Sequence, residues 1–201
     1  EYEVTLNRSG RSTGTVTVRY ENLSNDSASG CDSQRMERGR SYEELKNACY
    51  WNFARIFIPA DARLISSDAL PLPEHSVQSE TGFKAVGEDT FEAGFVAGVA
   101  YFGGLKLVPA NESATIEFTY DLPATVVDWN ESGARYVLEL QAQAGTAGRA
   151  TRISVNLPDG YEYASSNIAP SLTVAGRVEF GFNLITDTVL ELELAKVGPR
   201  G

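Results

Sequence analysis

The residues able to do chemistry are few in this chain. Gly10-Arg11-Ser12-Thr13-Gly14 matches the nucleophile-elbow string G-x-S-x-G. An elbow needs a strand before it and a helix after it, to lift the hydroxyl above a parallel sheet. Here strand-like alternation follows instead, so the string reads as a hairpin turn. A triad would also have to draw on His75, the single histidine, from the Pro-rich loop Leu72-Pro73-Glu74-His75-Ser76. That imidazole has only Glu74 beside it and reads as a surface loop residue. Two cysteines and one histidine cannot form a four-ligand Cys/His zinc site without borrowed carboxylates. Cys31 and Cys49 instead flank a polar loop and predict a disulfide in an oxidising compartment, two free thiols being the alternative.

Other polar groups read as surface. Glu117 and Asp121, and Glu191 and Glu193, are carboxylate pairs of the kind a glycosidase uses, but they fall on the wet positions of alternating strands. Asn25, Asp26 and Asp32 cluster in one loop without the spacing of an EF-hand, so calcium is a weaker reading than a solvated turn. Asn7, Asn22, Asn25, Asn111 and Asn130 each begin an N-x-S string and are read as turn residues rather than glycan acceptors. Tyr50, Trp51, Trp129, Tyr161 and Tyr163 are the aromatics available as sugar platforms, with packing between domains as the competing account of the two tryptophans. No cofactor and no catalytic residue is assigned.

The elements that must hold these groups are strands. Tyr2, Val4 and Leu6 alternate with polar neighbours, as do Val16, Val18 and Tyr20, and then Ala114, Ile116, Phe118, Tyr120 and Leu122. Period-two alternation marks antiparallel sheets with one face on a core and the other in water. The central strand runs from Cys49 to Pro59. On it Ala54, Ile56 and Ile58 form the core face, while Trp51, Phe53, Arg55 and Phe57 form a second face with the guanidinium stacked on rings. That face is a candidate interaction patch together with Trp129, covered by a second domain, the Arg-rich loop or a partner. Ser41-Tyr42-Glu43-Glu44 fits a capping box and predicts a short helix to about Ala48. Short strands are predicted near Phe83 to Val86 and Thr90 to Phe95.

The pattern then starts again. Pro123 to Gly133 reads as a linker, after which Tyr136, Leu138 and Leu140 mirror the opening strand. Pro158 to Asn167 echoes Pro59 to Asp68, and Phe180-Gly181 echoes Phe102-Gly103. The expectation is two tandem antiparallel Ig-like β-sandwich domains, residues 1–124 with a disulfide loop and a Gly-rich insertion, and residues 125–201 smaller.

The chain has 201 residues and a formal net charge of -10, which repels phosphate backbones and excludes nucleic acid as a favoured partner. Its only methionine is Met36, so it reads as a processed form or a fragment. The most apolar stretch, Phe91 to Pro109, is too interrupted to span a bilayer.

Several segments together resemble the C-terminal part of bacterial proteins grouped as domain of unknown function 4012. They are Glu1 to Leu6, Tyr20-Glu21-Asn22, Cys49 to Pro59, Phe102-Gly103-Gly104 to Val108-Pro109, and Phe118 to Pro123. The resemblance is carried by order and spacing and covers most of the chain. It implies an extracytoplasmic accessory region of a cell-envelope protein, held to the membrane only through an N-terminal helix and preceded by a larger domain. The implied partners are that missing N-terminal domain, cell-wall glycan or another envelope protein. The resemblance carries over no catalytic residue, and Gln141-Ala142-Gln143 departs from a segment that contains lysine in relatives.

Overall fold

The computed structural model describes residues 1–25, 31, 41–42, 48–70, 92–96 (backbone only), 99–143 and 148–197. The predicted helix over Ser41 to Ala48 and the strand near Phe83 to Val86 lie largely or wholly outside these residues, as do His75, Asp26 and Asp32.

The described chain is β throughout apart from one 3-10 turn at Ala124–Val126 and residue 42. Its strands are β1 (Tyr2–Thr5), β2 (Ser12–Glu21), β3 (Tyr50–Ile58), β4 (Arg63–Ser67), β5 (Glu92–Val96), β6 (Val99–Val108) and β7 (Ser113–Leu122). They continue with β8 (Val127–Trp129), β9 (Gly133–Leu140), β10 (Arg149–Asn156), β11 (Tyr161–Ser166), β12 (Leu172–Val174), β13 (Arg177–Leu184) and β14 (Thr188–Lys196). The segment expected to be a linker thus contains β8, whose Val127 is buried and which pairs with β9. Three residues between Pro123 and Asn130 are too few for alternation to reveal a strand.

The same strand order occurs twice. β2, β7 and β4 are neighbours in one sheet, and β3, β6 and β5 form another. In the second run the matching strands are β9, β14 and β11, and β10, β13 and β12. The sheets make a sandwich-like, all-β architecture. Labelling β8 to β14 as A to G gives sheets A-B-G-D and C-F-E, whereas an immunoglobulin domain has A-B-E-D and C-F-G. The fifth and seventh strands have therefore exchanged places relative to the immunoglobulin order.

Corresponding turns confirm the match. Ala62 donates its backbone N–H to the Pro59 carbonyl at 3.0 Å, and Tyr161 donates to Pro158 at 3.2 Å. Gly160 completes the second turn at φ 79°, a conformation open to glycine at no steric cost. Past each turn the chain clamps onto an opposite strand in the same way. Asp68 N–H donates to the Glu117 carbonyl at 3.4 Å, and Glu117 N–H donates to Asp68 Oδ1 at 2.7 Å. Asn167 N–H donates to the Glu191 carbonyl at 3.3 Å, and Glu191 N–H donates to Asn167 Oδ1 at 2.8 Å. The strand registers place Phe102 with Val178 and Gly104 with Phe180, since Ile56 faces Phe102, Val155 faces Val178, Ala54 faces Gly104 and Ile153 faces Phe180. The echo of Phe102 in Phe180 is thus two residues out of step, a shift that preserves the face and so leaves the alternation unchanged.

Two compact units divide the chain at different points, residues 1–16 with 119–201, and residues 17–118. The division cuts β2 and β7 and differs from a boundary at 124/125, because β1 belongs with the later strands. In the first unit β1 pairs antiparallel with β2, and parallel with β10, Tyr2 to Thr5 facing Ile153 to Asn156. Its core holds Val4, Leu6, Ile153, Val155, Val178, Phe180, Leu190 and Leu192, all nearly or wholly removed from solvent. The second unit buries Ile58, Leu105, Val108, Ile116 and Phe118, and Leu70 and Leu105 exchange two backbone hydrogen bonds of 2.8 Å.

Replacing Asp68 or Asn167 with alanine leaves a strand N–H without its protein acceptor. Each is expected to lower unfolding free energy by about 1 kcal/mol. Asp68→Asn and Asn167→Asp keep an acceptor oxygen and should stay nearer the parent value in urea denaturation.

Candidate interaction face and buried tyrosine cluster

Of the residues singled out from sequence, Cys31 and Cys49 are joined in a disulfide with Cα atoms 5.3 Å apart. Trp51, Phe53, Arg55 and Phe57 lie on one face of β3. Alternation puts them there, since Ala54 and Ile58 on the other face are buried. The Arg55 guanidinium carbon sits 5.2 Å from the Phe53 ring centre and 5.3 Å from that of Tyr101. The face stays partly wet, with Trp51 at 36% and Phe57 at 57% exposure. Phe57 also meets Tyr101 edge-on at 6.2 Å.

Trp129 is not on β3. It belongs to the other compact unit, on β8, and packs edge-on against Tyr161 at 5.1 Å. Tyr161 is buried at 6% exposure and so offers no sugar platform, and the Tyr163 hydroxyl is 3.1 Å from Ser166 Oγ. Tyr50 is exposed and meets Tyr20 edge-on at 6.5 Å.

The string around Ser12 forms no elbow. Ser12 begins β2, is buried, and its Oγ accepts the Asn7 backbone N–H at 3.1 Å. The carboxylates tie strands together. Glu191 and Glu193 flank Arg135 at 3.0 and 3.4 Å, and Asp121 lies 3.9 Å from Arg11. Three N-x-S asparagines fold back on their own serine, with Ser9, Ser24 and Ser132 donating backbone N–H groups to Asn7, Asn22 and Asn130 at 3.0, 3.1 and 2.9 Å. Asn111 sits in a turn at φ 59°, and Asn25 is exposed. Among the described residues, no three His, Cys, Asp or Glu side chains gather as a metal site.

Two titratable arrangements escaped sequence reasoning. Burial by itself would raise the Asp68 carboxyl, but the Lys106 ammonium at 2.8 Å and the Glu117 N–H outweigh it and hold the carboxyl below its ordinary value. The second arrangement is a cluster of Tyr2, Tyr120 and Tyr136 inside the first unit, with the Tyr2 and Tyr136 hydroxyls 3.1 Å apart. A side chain at Gly14 would stand 3.1 Å from the Tyr120 ring and 3.2 Å from the Tyr2 hydroxyl, so glycine makes room for the cluster. Burial raises all three phenols above their ordinary value, as expected when an anion has no water to solvate it. Each tyrosine lay on a strand face marked as inward. Nothing in the alternation revealed that three inward positions would meet.

No family model and no curated protein matches the chain.

The tyrosine cluster predicts alkaline sensitivity. Below about pH 10 the phenols are neutral in both states and the stability is fully present. Above it the unfolded chain releases protons that the folded chain keeps, so stability falls as pH rises. The slope is about 1.4 kcal/mol per pH unit for each buried phenol, or about 4 for the three. Urea midpoints measured between about pH 8 and 11 should show this decline, and Tyr136→Phe should remove about a third of its slope.

Proposed function

We propose that the chain is a non-catalytic, extracytoplasmic scaffold or interaction region of a bacterial cell-envelope protein. The observation that carries the reading is the doubled strand order, each copy closed by the same side-chain clamp, at Asp68 and at Asn167. Repetition of a sandwich, closed in each copy by the same clamp, suits spacing and presentation. The Cys31–Cys49 bridge is consistent with an extracellular setting. The membrane anchor and the preceding domain rest on the sequence resemblance alone. A glycan-binding module is the second reading, and the exposed Trp51 and Phe57 favour it. Titration with soluble cell-wall fragments, followed by tryptophan fluorescence in the parent and in Trp51→Phe, separates the two. Scaffold function gives no saturable change.

Location is tested by trapping thiols in native cells with an alkylating reagent. Cys31 and Cys49 should take up label only after reduction, and labelling of both without reduction would overturn the extracytoplasmic assignment. The bridge spans 18 residues, and closing a loop of that size stabilises by about 3 kcal/mol in the loop-entropy argument. Cys31→Ser with Cys49→Ser should lower the unfolding free energy by about that amount.

A further inference from the structure

We propose that the chain associates head to tail with a second copy of itself, the outer edge of β8 in one molecule adding in parallel to the outer edge of β3 in the next. The argument comes from the strand repeat. β1 and β8 occupy the same position in the two runs, each pairing antiparallel with the strand that follows it. β1 does more, because its other edge docks in parallel on β10. Among the described residues, β8 lies at the end of its sheet and has no such second neighbour. The counterpart of β10 is β3, and β3 likewise lies at the end of its sheet. Among the described residues, one donor edge and one acceptor edge of the kind already joined within the molecule are therefore left over.

The register can be transferred residue by residue. Aligning Pro59 with Pro158 sets Ala54, Arg55 and Ile56 against Ile153, Ser154 and Val155. On the donor side, Glu3 faces Thr15, whose hydroxyl is 3.1 Å from that of Thr119. Asp128 faces Arg135, which in turn faces Glu193. The clamps make Glu117 equivalent to Glu191, hence Thr119 to Glu193 and Glu3 to Asp128. Glu3 faces Ser154 across the β1–β10 pair. The same pairing between molecules puts Asp128 opposite Arg55, with Val127 opposite Ala54 and Trp129 opposite Ile56.

The chemistry at each position is complementary. In the existing pair, Glu3 accepts from Asn156 Nδ2 at 2.8 Å and lies 3.7 Å from Arg177. In the proposed pair Asp128 meets the guanidinium of Arg55, and both residues are exposed. Val127 and Ala54 are buried residues on the core side of their strands, as Tyr2 and Ile153 are on theirs. Strand addition supplies backbone hydrogen bonds, and the side chains supply specificity. Because donor and acceptor are different edges, the contact is heterologous and repeats from copy to copy. A three-residue donor makes it weak.

The proposal deepens the scaffold reading by naming the partner of the Arg55 face, and it rests on that reading. Its failure is separable, since thiol trapping reports on location and not on self-association. Sedimentation velocity of the 201-residue chain from about 10 μM to about 1 mM should show a mass rising above 21.8 kDa with concentration and falling back with salt. Arg55→Asp and Asp128→Arg, both at exposed positions, should each stay monomeric alone. An equimolar mixture of the two should associate again, because every contact then pairs opposite charges. Circular dichroism confirms that both variants are folded. A parent chain that stays monomeric across the range overturns the proposal and leaves the edges to a segment of another protein or a further stretch of the chain. Association that survives in either single variant, or a mixture that fails to restore it, also overturns it.

Discussion

A four-residue strand, β1, satisfies hydrogen bonds on both of its edges, and the first compact unit depends on it. Tyr2 to Thr5 run parallel to Ile153 to Asn156 and antiparallel to Val16 to Thr13. Leu6 extends the parallel ladder with a 3.0 Å bond to the Asn156 carbonyl. Without β1, β10 would present an open edge of backbone donors and acceptors, and Val4 and Leu6 would be missing from the core. The division of the chain follows from this pairing, since it draws the first residues to strands more than a hundred positions later.

Above the strand stands the tyrosine cluster. Tyr2 comes from β1, Tyr120 from β7 and Tyr136 from β9, so the hydroxyls meet from strands of two different sheets. A buried phenol needs a partner for its O–H, and here the phenols partner each other. That arrangement favours one alignment of the sheets, because sliding either sheet would separate the hydroxyls. The same low-polarity surroundings that strengthen the bond oppose ionisation of any member.

Strand faces were legible in the sequence because alternation is a local property. Ile116, Phe118, Tyr120 and Leu122 are buried, and Arg55 lies over rings, as their spacing implies. Neighbours were not legible. Tyr2 to Leu6 has the same pattern whether it pairs with β2 alone or also with β10, since side-chain direction records the face and not the identity of the adjacent strand. The exchange of the fifth and seventh strands relative to an immunoglobulin domain is hidden for the same reason. The Ser-Ser-Asp and Ser-Ser-Asn endings of β4 and β11 were visible as an echo. Their meaning, a side-chain oxygen that accepts from a glutamate N–H on another strand, required the pairing.

The two runs share their framework and differ on the faces turned away from the core. Where one carries Ser154, Arg177 and Glu179 in a network of ion pairs and hydrogen bonds that reaches Glu3 of β1, the other carries Arg55, Tyr101 and Gly103 at the corresponding positions, with Phe53 and Phe57 alongside. Turns, clamps and core positions set the order of strands, and those are held in common. The outer face is under no such constraint, so it can change from charged to aromatic without altering the register. The charged version is flanked by β1, and Ser154, fully buried although it points away from the core, accepts a 3.0 Å hydrogen bond from Arg177. The aromatic version keeps Arg55 in the place of Ser154, with its guanidinium over the Phe53 and Tyr101 rings, so the same backbone position serves an ion-pair network in one run and a cation-ring stack in the other.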